Sequence, residues 1–302
     1  MNTEKTAGIF PNKRITPAVA GSRIQRSRPR WLSQINGAVL LACVTLLVLI
    51  AAALFAEVIA PGDPSAQSLR ARLTPPFSTP AHPLGTDGTG RDMLVRLLHG
   101  GRVSLFIGIA ATIVGTSFGV LLGLVSGYAR GWADEIISYL AEVQLSLPFI
   151  LLAVAVALVL GRSLPVLIGL AALSTWPVYA RVVRGEVLSL REREFVVAAR
   201  ALGAGSIRII RHHLLRNIAA PILVLATINI GRIILLESGL SFLGIGIQPP
   251  TPSWGNMISD GREVLPIAWW ISTLPALALM ALTLAIGTLG DWLRDVLDVA
   301  VG

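Results

Sequence analysis

The sequence predicts an all-α, polytopic membrane protein with six transmembrane helices. Of the 302 residues, 54% are hydrophobic and only 14% are charged, and the mean hydropathy is +0.72. Soluble domains are typically about 25% charged, and about 20 consecutive apolar residues can cross the roughly 30 Å hydrocarbon layer as a helix. The apolar runs that meet this length are residues 35–55, 103–128, 136–160, 164–183, 219–242 and 267–289.

Before the first span, residues 1–30 are polar and basic, with Glu4 as the only acidic residue. Such a segment buries too little apolar surface to fold, so we expect a disordered cytoplasmic tail that either touches anionic lipid or is only solvated. Residues 31–101 are assigned to the first transmembrane helix and a Pro/Gly-rich periplasmic loop. The first apolar run is longer than the roughly 7–15-residue core of a signal peptide, so we expect an uncleaved anchor.

The distribution of basic residues sets the expected orientation. Most of the 25 Lys and Arg residues lie in the tail, at Arg130, within residues 181–216 or near the C-terminus. By the positive-inside rule these regions are cytoplasmic, which places both termini inside for a multi-pass protein of the cytoplasmic (inner) membrane. The net charge of +8 would also suit a nucleic-acid binder, but its basic residues would then decorate a soluble fold. We therefore expect no nucleic acid as a partner.

The second span carries a stripe of glycines at a strict spacing of four residues, made of Gly115, Gly119, Gly123 and Gly127. Residues four apart share one face of a helix, and small residues there let a neighbouring membrane helix approach closely. We expect a tight helix–helix contact along this glycine stripe and no chemistry in it.

A polar, arginine-rich segment interrupts the apolar spans at residues 194–217. It predicts two short helices hinged at Gly203, because glycine tolerates the left-handed conformation that ends a helix, with Ser206 as the N-cap of the second helix. The apolar face of that second helix is predicted to hold Ile207, Ile210, Leu214 and Ile218. An amphipathic hairpin of this kind suits a soluble partner that grips a membrane bundle; the alternative is a basic surface helix pair anchored by phospholipid headgroups.

This segment resembles the EAA loop of the permease subunits of binding-protein-dependent ABC importers. The positions that match the family pattern are Glu194, Ala198, Ala199, Gly203, His213 and Leu215, whereas Arg216 stands where the family usually has Pro. The resemblance implies that residues 186–217, the coupling loop, insert into a groove on an ATPase subunit. The residues to which it assigns ATPase coupling are Glu194, Ala198, Ala199, Gly203, Ser206 and His213.

Three further segments resemble the oligopeptide/dipeptide subfamily of these importers, which also includes nickel systems. They are HPLGTDGTGRDMLVRLLHGGRVSL at 82–105, LSFLGIGIQPPTPSWGNMISDGR at 240–262 and LGDWLRDVLD at 289–298. They imply the second permease subunit, with the transmembrane domain fold of a type I ABC importer and a five-helix permease core at residues 102–298. The implied partners are a homologous permease subunit in a heterodimer, two ATPase subunits that bind ATP and Mg²⁺, a periplasmic or lipoprotein substrate-binding protein, and membrane lipid; no cofactor is expected in this chain.

The sequence lacks the patterns that bond chemistry requires, so we expect a non-catalytic subunit. Residues 85–92 have the glycine spacing of a P-loop, but Arg91 and Asp92 replace the Lys and Ser/Thr that hold phosphate and Mg²⁺. No histidine pair has the H-E-x-x-H spacing of a zinc site, and no serine lies in a G-x-S-x-G elbow. The single cysteine, Cys43, excludes a disulfide within the chain.

Ionisable residues inside the predicted spans each cost a few kcal/mol unless they meet water or a partner. These residues are Glu142, Arg232 and Glu237. Either they line the translocation path or gate between the permeases, or Glu142 reaches the cytoplasmic surface and the other two bind neighbouring helices. On the outside, the loops around Asp87 and Trp254 are expected to contact the binding protein.

The sequence therefore predicts a permease subunit that imports dipeptides or oligopeptides. The same machinery serves glutathione, D-alanyl dipeptides and nickel, which remain alternative substrates. A stand-alone channel or membrane scaffold would need a filter or gate complete within this chain, and the sequence shows no ring-forming acidic or carbonyl motif. An intramembrane enzyme would need a nucleophile and a base, and no such pair is evident.

Overall fold

The computed structural model describes residues 36–301, with side chains described up to residue 297. Throughout this range the chain forms helices, turns and loops, and its one extended pairing is an isolated antiparallel bridge between Thr86 and Asp92. The predicted all-α class is thereby confirmed. The tail predicted at residues 1–30 lies outside the described residues.

The α-helices are numbered in chain order. Their bounds are α1 Gly37–Leu54, α2 Ala56–Ile59, α3 Met93–Ala129, α4 Trp132–Ser146, α5 Phe149–Leu160, α6 Leu164–Leu190, α7 Glu194–Ala201, α8 Ser206–Ile209, α9 Leu215–Phe242, α10 Trp254–Gly261 and α11 Trp270–Val301. A short 3₁₀ turn covers Leu69–Ala71, and a π-helical turn, Ile210–Leu214, joins α8 to α9.

The described chain reaches six membrane crossings only if α4 and α5 count as one. Five stretches are individually long and apolar enough to cross a membrane, namely 37–54, 93–129, 164–190, 206–242 and 270–297. Helices α4 and α5 pass the same test together, but they are bent by 94° at the break between them.

That break corrects the prediction of a single helix over residues 136–160. Leu147 is extended, with φ −84° and ψ 136°, and Pro148 follows with ψ 106°. Proline lacks an amide hydrogen and disfavours helical backbone at the residue before it, so α4 has to end ahead of Pro148. The bend borders a cavity lined by Gln144 and Phe149.

Two membrane helices run beyond their apolar stretches. Helix α3 begins at Met93 rather than Val103, because the Asp92 side chain caps it by accepting a hydrogen bond from the amide of Val95 at 3.0 Å. Helix α6 continues to Leu190. Hydropathy marks the part of a helix that suits lipid, whereas helical hydrogen bonding continues into the flanking polar residues.

The close contact predicted along the glycine stripe is confirmed, and its partner is α6. A Cβ atom on Gly119 would lie 2.5 Å from Cβ of Tyr179, and one on Gly123 would lie 2.6 Å from the carbonyl oxygen of Ala180. Since no side chain fits in this space, the backbones of α3 and α6 meet directly.

The same contacts give the relative direction of the two helices. The stripe meets successive turns of α6, in the order Gly115 to Ala172, Gly119 to Trp176, Gly123 to Ala180 and Gly127 to Val187. Because residue numbers increase in the same direction along both helices, α3 and α6 run parallel. The chain must therefore cross back between them, and the bent pair α4–α5 is the segment that returns.

Apolar clusters lie near both ends of α3. Near its start, Met93 packs with Trp254 of α10 and Trp270 of α11. Near its end, Leu124 packs with Val187 of α6 and with residues of the coupling loop. The parts of the chain that flank the membrane helices are thus anchored to the same long helix.

We expect Gly119→Ala to destabilise the folded protein by about 1–3 kcal/mol, because a methyl group in this contact forces the helices apart. The measurement is the midpoint of thermal unfolding of the purified protein in detergent. The control is Gly169→Ala on α6, where a Cβ would meet nothing within 4 Å and alanine favours the helix. Equal midpoints for the Gly119 variant and the wild type would contradict the backbone contact.

Candidate functional site

The coupling loop turns sharply at Gly203. Helix α7 ends at Ala201, and Gly203 has φ +83°, the left-handed conformation predicted for it. Its amide donates to the carbonyl oxygen of Arg200, and the amide of Ala204 donates to that of Ala199, both at 3.0 Å. A Cβ on Gly203 would meet nothing within 4 Å, so backbone conformation rather than space is what favours glycine here.

Ser206 does not cap the second helix, contrary to the prediction. The N-cap is Gly205, with extended backbone at φ −68° and ψ 157°, and Ser206 is the first residue of α8 and makes no capping hydrogen bond. The extended stretch that follows the Gly203 turn ends one residue sooner than the side-chain pattern indicates. The cap therefore falls on a residue that has no side chain.

The second helix is also not a separate short element. The π-helical turn carries α8 into membrane helix α9 without a break. Ile207 is 82% exposed, so its predicted place on the apolar face is wrong. Leu214 and Ile218 are buried as predicted, Ile210 is half-buried, and Ile209 is buried in place of Ile207. A π turn holds an extra residue, which shifts the apolar face by one position. Helix α8, the π turn and α9 form one continuous rod, and α7 lies outside it.

Helix α7 packs onto this rod mainly through Val196. That side chain is completely buried in one apolar cluster with Ile209 and Leu214. Beside it, the ring of Phe195 lies 6.1 Å from the ring of His213. Displacement of α7 therefore pushes on side chains of the rod itself.

The other coupling residues face outward. Glu194 and Ala198 are exposed, and Ala199 is half-buried. Large apolar side chains around them are 42–89% exposed, and these are Phe195, Val197, Leu202 and Ile207. We call these four the loop patch. An exposed apolar patch beside charged residues is typical of a protein–protein interface.

An ion pair that sequence analysis missed holds the base of the coupling loop. Arg184 of α6 donates to the carboxylate of Asp134 in α4 through Nε at 2.6 Å and Nη2 at 2.8 Å. The hydroxyl of Ser126 in α3 donates to the same carboxylate. Two-pronged arginine–carboxylate pairs are strong and directional, so three helices are fixed at one point. No periodicity links residues 50 positions apart, which is why the sequence did not reveal the pair.

Glu142, Arg232 and Glu237 are not brought together. Glu142 is exposed and lines a cavity of about 310 Å³ with Arg181 and Arg184. Arg232 is exposed in a different cavity, and Glu237 is fully buried. Within residues 36–301, no cluster of three His, Cys, Asp or Glu side chains could hold a metal ion.

Glu237 binds neighbouring helices inside the fold. Its carboxylate accepts hydrogen bonds from the hydroxyl of Ser241 at 2.7 Å and from that of Ser104 at 3.2 Å. The Ser104 oxygen in turn accepts a hydrogen bond from the amide of Trp254 at 3.4 Å. These contacts tie α9 to α3 and α10 and keep the carboxylate away from any aqueous path in this conformation. Of the two alternatives for Glu237, the structure agrees with the one in which it binds neighbouring helices.

Arg232 lies in the bend cavity, a recess of about 470 Å³ between α4, α5, α6 and α9. Most of its wall is apolar. The polar residues that line it are Gln144, Ser174, Thr175 and Arg232. The recess exists because Pro148 turns the third crossing away from α9 at this level.

Asp87 and Trp254 are both buried, so these two side chains themselves would not make a contact between the surrounding loops and a binding protein in this conformation. Asp87 is 2% exposed, and Trp254 is 3% exposed. The indole N–H of Trp254 donates to the carbonyl oxygen of Leu97 at 2.9 Å. Other residues of the surrounding loops would have to supply any contact with a binding protein.

Asp87 belongs to a charge cluster that joins the loop between α2 and α3 to α3 itself and to α10. Its carboxylate lies 2.5 Å from Nε of Arg91 and 3.5 Å from Nε of Arg96. Asp260 of α10 lies 3.3 Å from Nη2 of Arg91 and 3.4 Å from Nη2 of Arg96. We call these four residues the loop charge cluster. The motif at residues 82–105 drew attention to Asp87 and Arg91, but only the fold shows that they are buried.

Hydrogen bonding controls the ionisation of Asp87. Burial alone would raise the pKa of this carboxyl, but hydrogen bonds from the amides of Arg91 and Thr89, together with the Arg91 guanidinium, outweigh it and hold the pKa below its usual range. Asp87 is therefore a carboxylate at neutral pH.

Comparison with protein families gives a match over more than half of the chain. The family described as "Binding-protein-dependent transport system inner membrane component" matches residues 119–302. The matched region contains the coupling loop and α9.

Individual relatives extend the likeness towards the N-terminus. The di/tripeptide transport system permease protein DppC of Pseudomonas aeruginosa is 41% identical over 257 residues, covering 84% of this chain and 85% of that protein. The glutathione transport system permease protein GsiD of Pectobacterium atrosepticum is 40% identical over 253 residues, covering 84% of both chains. The probable D,D-dipeptide transport system permease protein DdpC of Escherichia coli K12 is 33% identical over 302 residues, covering 100% of this chain and 98% of that protein.

The fold also resembles a solved structure, that of the MetNI methionine ABC transporter in an inward-facing conformation. The TM-score is 0.56 at 21% identity, over 68% of this chain and 97% of that chain. Identity this low carries information on the fold alone. The structural likeness confirms the predicted fold, which is that of the transmembrane domain of a type I ABC importer.

We expect Asp87→Asn to destabilise the protein by about 3 kcal/mol at neutral pH, because it leaves buried guanidinium groups without their carboxylate. The measurement is the thermal unfolding midpoint, with Glu263→Gln as the control, since Glu263 is exposed and lies on the same side of the protein.

The pH dependence has a defined sign. The folded-state pKa of Asp87 lies below its unfolded value, so its stabilisation is present above about pH 3.9 and is lost as the pH falls through the folded pKa. The difference between the wild type and Asp87→Asn should therefore shrink in acid. A difference that stays constant down to acid pH would contradict an ionised Asp87.

Proposed function

The chain belongs to the binding-protein-dependent transport system inner membrane component family, and on this premise we propose that it is the permease subunit of an ATP-driven importer of dipeptides or oligopeptides. The relatives named for di/tripeptide and dipeptide transport support the substrate class, at 41% and 43% identity. Members of this family are non-catalytic membrane components. In the proposed complex, ATP and Mg²⁺ are bound by separate ATPase subunits.

The observation that carries the proposal is the continuity of α8, in the second half of the coupling loop, with membrane helix α9. The loop patch offers apolar surface to a partner at one end of this rod, and the other end lies among the membrane helices. A membrane protein without a motor of its own needs such a link, since force applied to the loop reaches the membrane helices only through a stiff connection.

The proposed mechanism moves the rod between two positions. ATP closes two cytoplasmic ATPase subunits, the coupling loop moves with them, and α9 switches the bundle from inward-open to outward-open. Val196 transmits the displacement of α7 to the rod because it is buried against Ile209 and Leu214. In this scheme the nucleotide biases a two-state element, and this chain makes or breaks no covalent bond.

The remaining parts of the proposed complex rest on the likeness to this family and on the positive-inside rule. A homologous permease subunit forms a heterodimer with this chain, and a periplasmic or lipoprotein substrate-binding protein delivers the peptide from outside. Both termini are cytoplasmic in the inner membrane. Glu194 then meets a basic residue of the ATPase or braces the loop, and Glu142 and Arg232 line the path shared with the second permease.

The names of the relatives and the charge of Arg232 distinguish between the alternative substrates. The relatives named for glutathione and D,D-dipeptide transport support these two substrates as alternatives. Nickel is disfavoured as a cargo that rests in the bend cavity, because Arg232 would repel a divalent cation there.

Reconstitution tests the function. We expect the chain to co-purify with ATPase subunits and a second permease, and the complex in proteoliposomes to take up labelled dialanine only with ATP and the loaded binding protein present. A stand-alone channel would come out without an ATPase attached. Solute movement by this polypeptide alone would contradict the proposal.

We expect Gly203→Val to uncouple uptake from ATP hydrolysis while the complex still assembles, because a β-branched residue at φ +83° is strained by roughly 1–2 kcal/mol and reshapes the turn. Gly205→Val is the matched control, since Gly205 has negative φ and open space around its Cα. Gly203→Asn should retain most uptake because asparagine tolerates the left-handed conformation. Intact uptake by Gly203→Val would contradict the role of the turn.

A further inference from the structure

Arg232 occupies an unusual position in a membrane helix. It lies ten residues before Phe242, about 15 Å along α9 from that end at the rise of an α-helix. At such depth a charged side chain costs at least a few kcal/mol unless it meets water or a counter-charge. Its side chain is exposed, and it makes no hydrogen bond or ion pair with any residue in the described part of the chain.

The other polar residues of the bend cavity are already engaged as donors. The amide oxygen of Gln144 accepts from the indole N–H of Trp176 at 2.6 Å, and its amide nitrogen donates to the carbonyl of Leu173. The hydroxyls of Ser174 and Thr175 donate to backbone carbonyl groups of α6 at 2.7 and 3.0 Å. These hydroxyl oxygens can still accept hydrogen bonds. Among the side chains of the lining, Arg232 keeps all of its N–H donors free, and Gln144 keeps one amide hydrogen beyond its bond to Leu173.

The charge of the recess selects an anion. Among the described residues that line it, Arg232 is charged and none is acidic. Its guanidinium presents a planar fork that matches a carboxylate with two parallel hydrogen bonds. The volume of about 470 Å³ falls within the roughly 300–1,000 Å³ of small-molecule sites.

We propose that Arg232 binds the C-terminal carboxylate of the transported peptide in the bend cavity. This inference rests on the proposed function and adds a binding subsite to it. Every linear peptide with a free C-terminus carries one main-chain carboxylate at that end, so a single arginine can hold peptides of any sequence. The apolar walls formed by Leu147, Phe149 and Leu236 accept varied side chains, and the Ser174 oxygen accepts a peptide N–H.

The geometry favours a ligand over an acidic residue of the second permease. The recess is built entirely from α4, α5, α6, α9 and the residues that flank them in this chain, with Arg232 in its wall. A protein side chain would have to enter that recess from a neighbouring helix, whereas a dipeptide fits inside it. The two occupants give different experimental results.

The first test compares two ligands on the purified complex without binding protein. The probes are dialanine and its C-terminal amide, at millimolar concentrations, with binding followed by ligand-detected NMR. In the wild type the amide should bind about 10- to 100-fold more weakly, the effect of losing a hydrogen-bonded charge partner. In Arg232→Gln the two probes should bind equally weakly, a loss of discrimination that a purely structural role would not produce.

The second test separates binding from assembly. Arg232→Gln should keep complex assembly and the stimulation of ATP hydrolysis by loaded binding protein, and should lower dialanine uptake by at least about tenfold. Dialanine uptake by Arg232→Lys should fall between that of the wild type and that of Arg232→Gln, because lysine keeps the charge but lacks the planar fork of the guanidinium. Arg162→Gln is the matched control, since Arg162 is an exposed arginine in the turn before α6 and is outside the bend cavity.

Several outcomes would overturn the inference. Equal binding of the acid and the amide to the wild type, or no binding of either, would remove the subsite. Dissociation of Arg232→Gln complexes would show that Arg232 pairs with the second permease, and loss of stimulated ATP hydrolysis would show a role in coupling. In all these cases wild-type uptake of dialanine persists, whereas failure of the proposed function itself would abolish uptake in the wild type.

Discussion

The backbone contact between α3 and α6 is the constraint on which the rest of the structure depends. Side chains are excluded along the glycine stripe, so the backbones of the two helices meet directly. The order of these contacts along α6 shows that the two helices run parallel. Parallel neighbours force the chain to cross back between them, and the bent pair α4–α5 makes that crossing. The bend leaves the cavity that holds Arg232, and the end of α6 leads directly into the coupling loop.

Two polar anchors complete this frame near the two ends of α3. The loop charge cluster binds the start of α3 to α10, and the Asp134–Arg184 pair binds the end of α3 to α4 and α6. Between these anchors, α9 carries Glu237 on its buried side and Arg232 on its exposed side. One helix thus has a buried face that binds other parts of this chain and an exposed face, and in the proposed mechanism the coupling loop would move both together.

Local patterns in the sequence predicted what depends on local chemistry. Hydropathy located the membrane crossings, four-residue spacing located the glycine stripe, and Gly203 was recognised because a left-handed residue favours glycine wherever it occurs. The predictions that were wrong or missing concern helix register and contacts between residues that lie far apart in the sequence. Ile207 was misplaced because a π turn leaves no mark in side-chain periodicity, and Ser206 because the extended backbone ends one residue earlier, at Gly205. The charge cluster around Asp87 includes Asp260, which only the fold brings near.

The π-helical turn also has a geometric consequence for the coupling loop. Each residue advances an α-helix by about 100° around its axis, so the surplus residue held in Ile210–Leu214 sets the angular bearing of everything that precedes it. Deleting that residue would swing Leu202 and Ile207 about a quarter-turn away from their present direction, with no membrane helix displaced. The direction in which the loop patch faces is thus set by the helical phase, which no single contact determines.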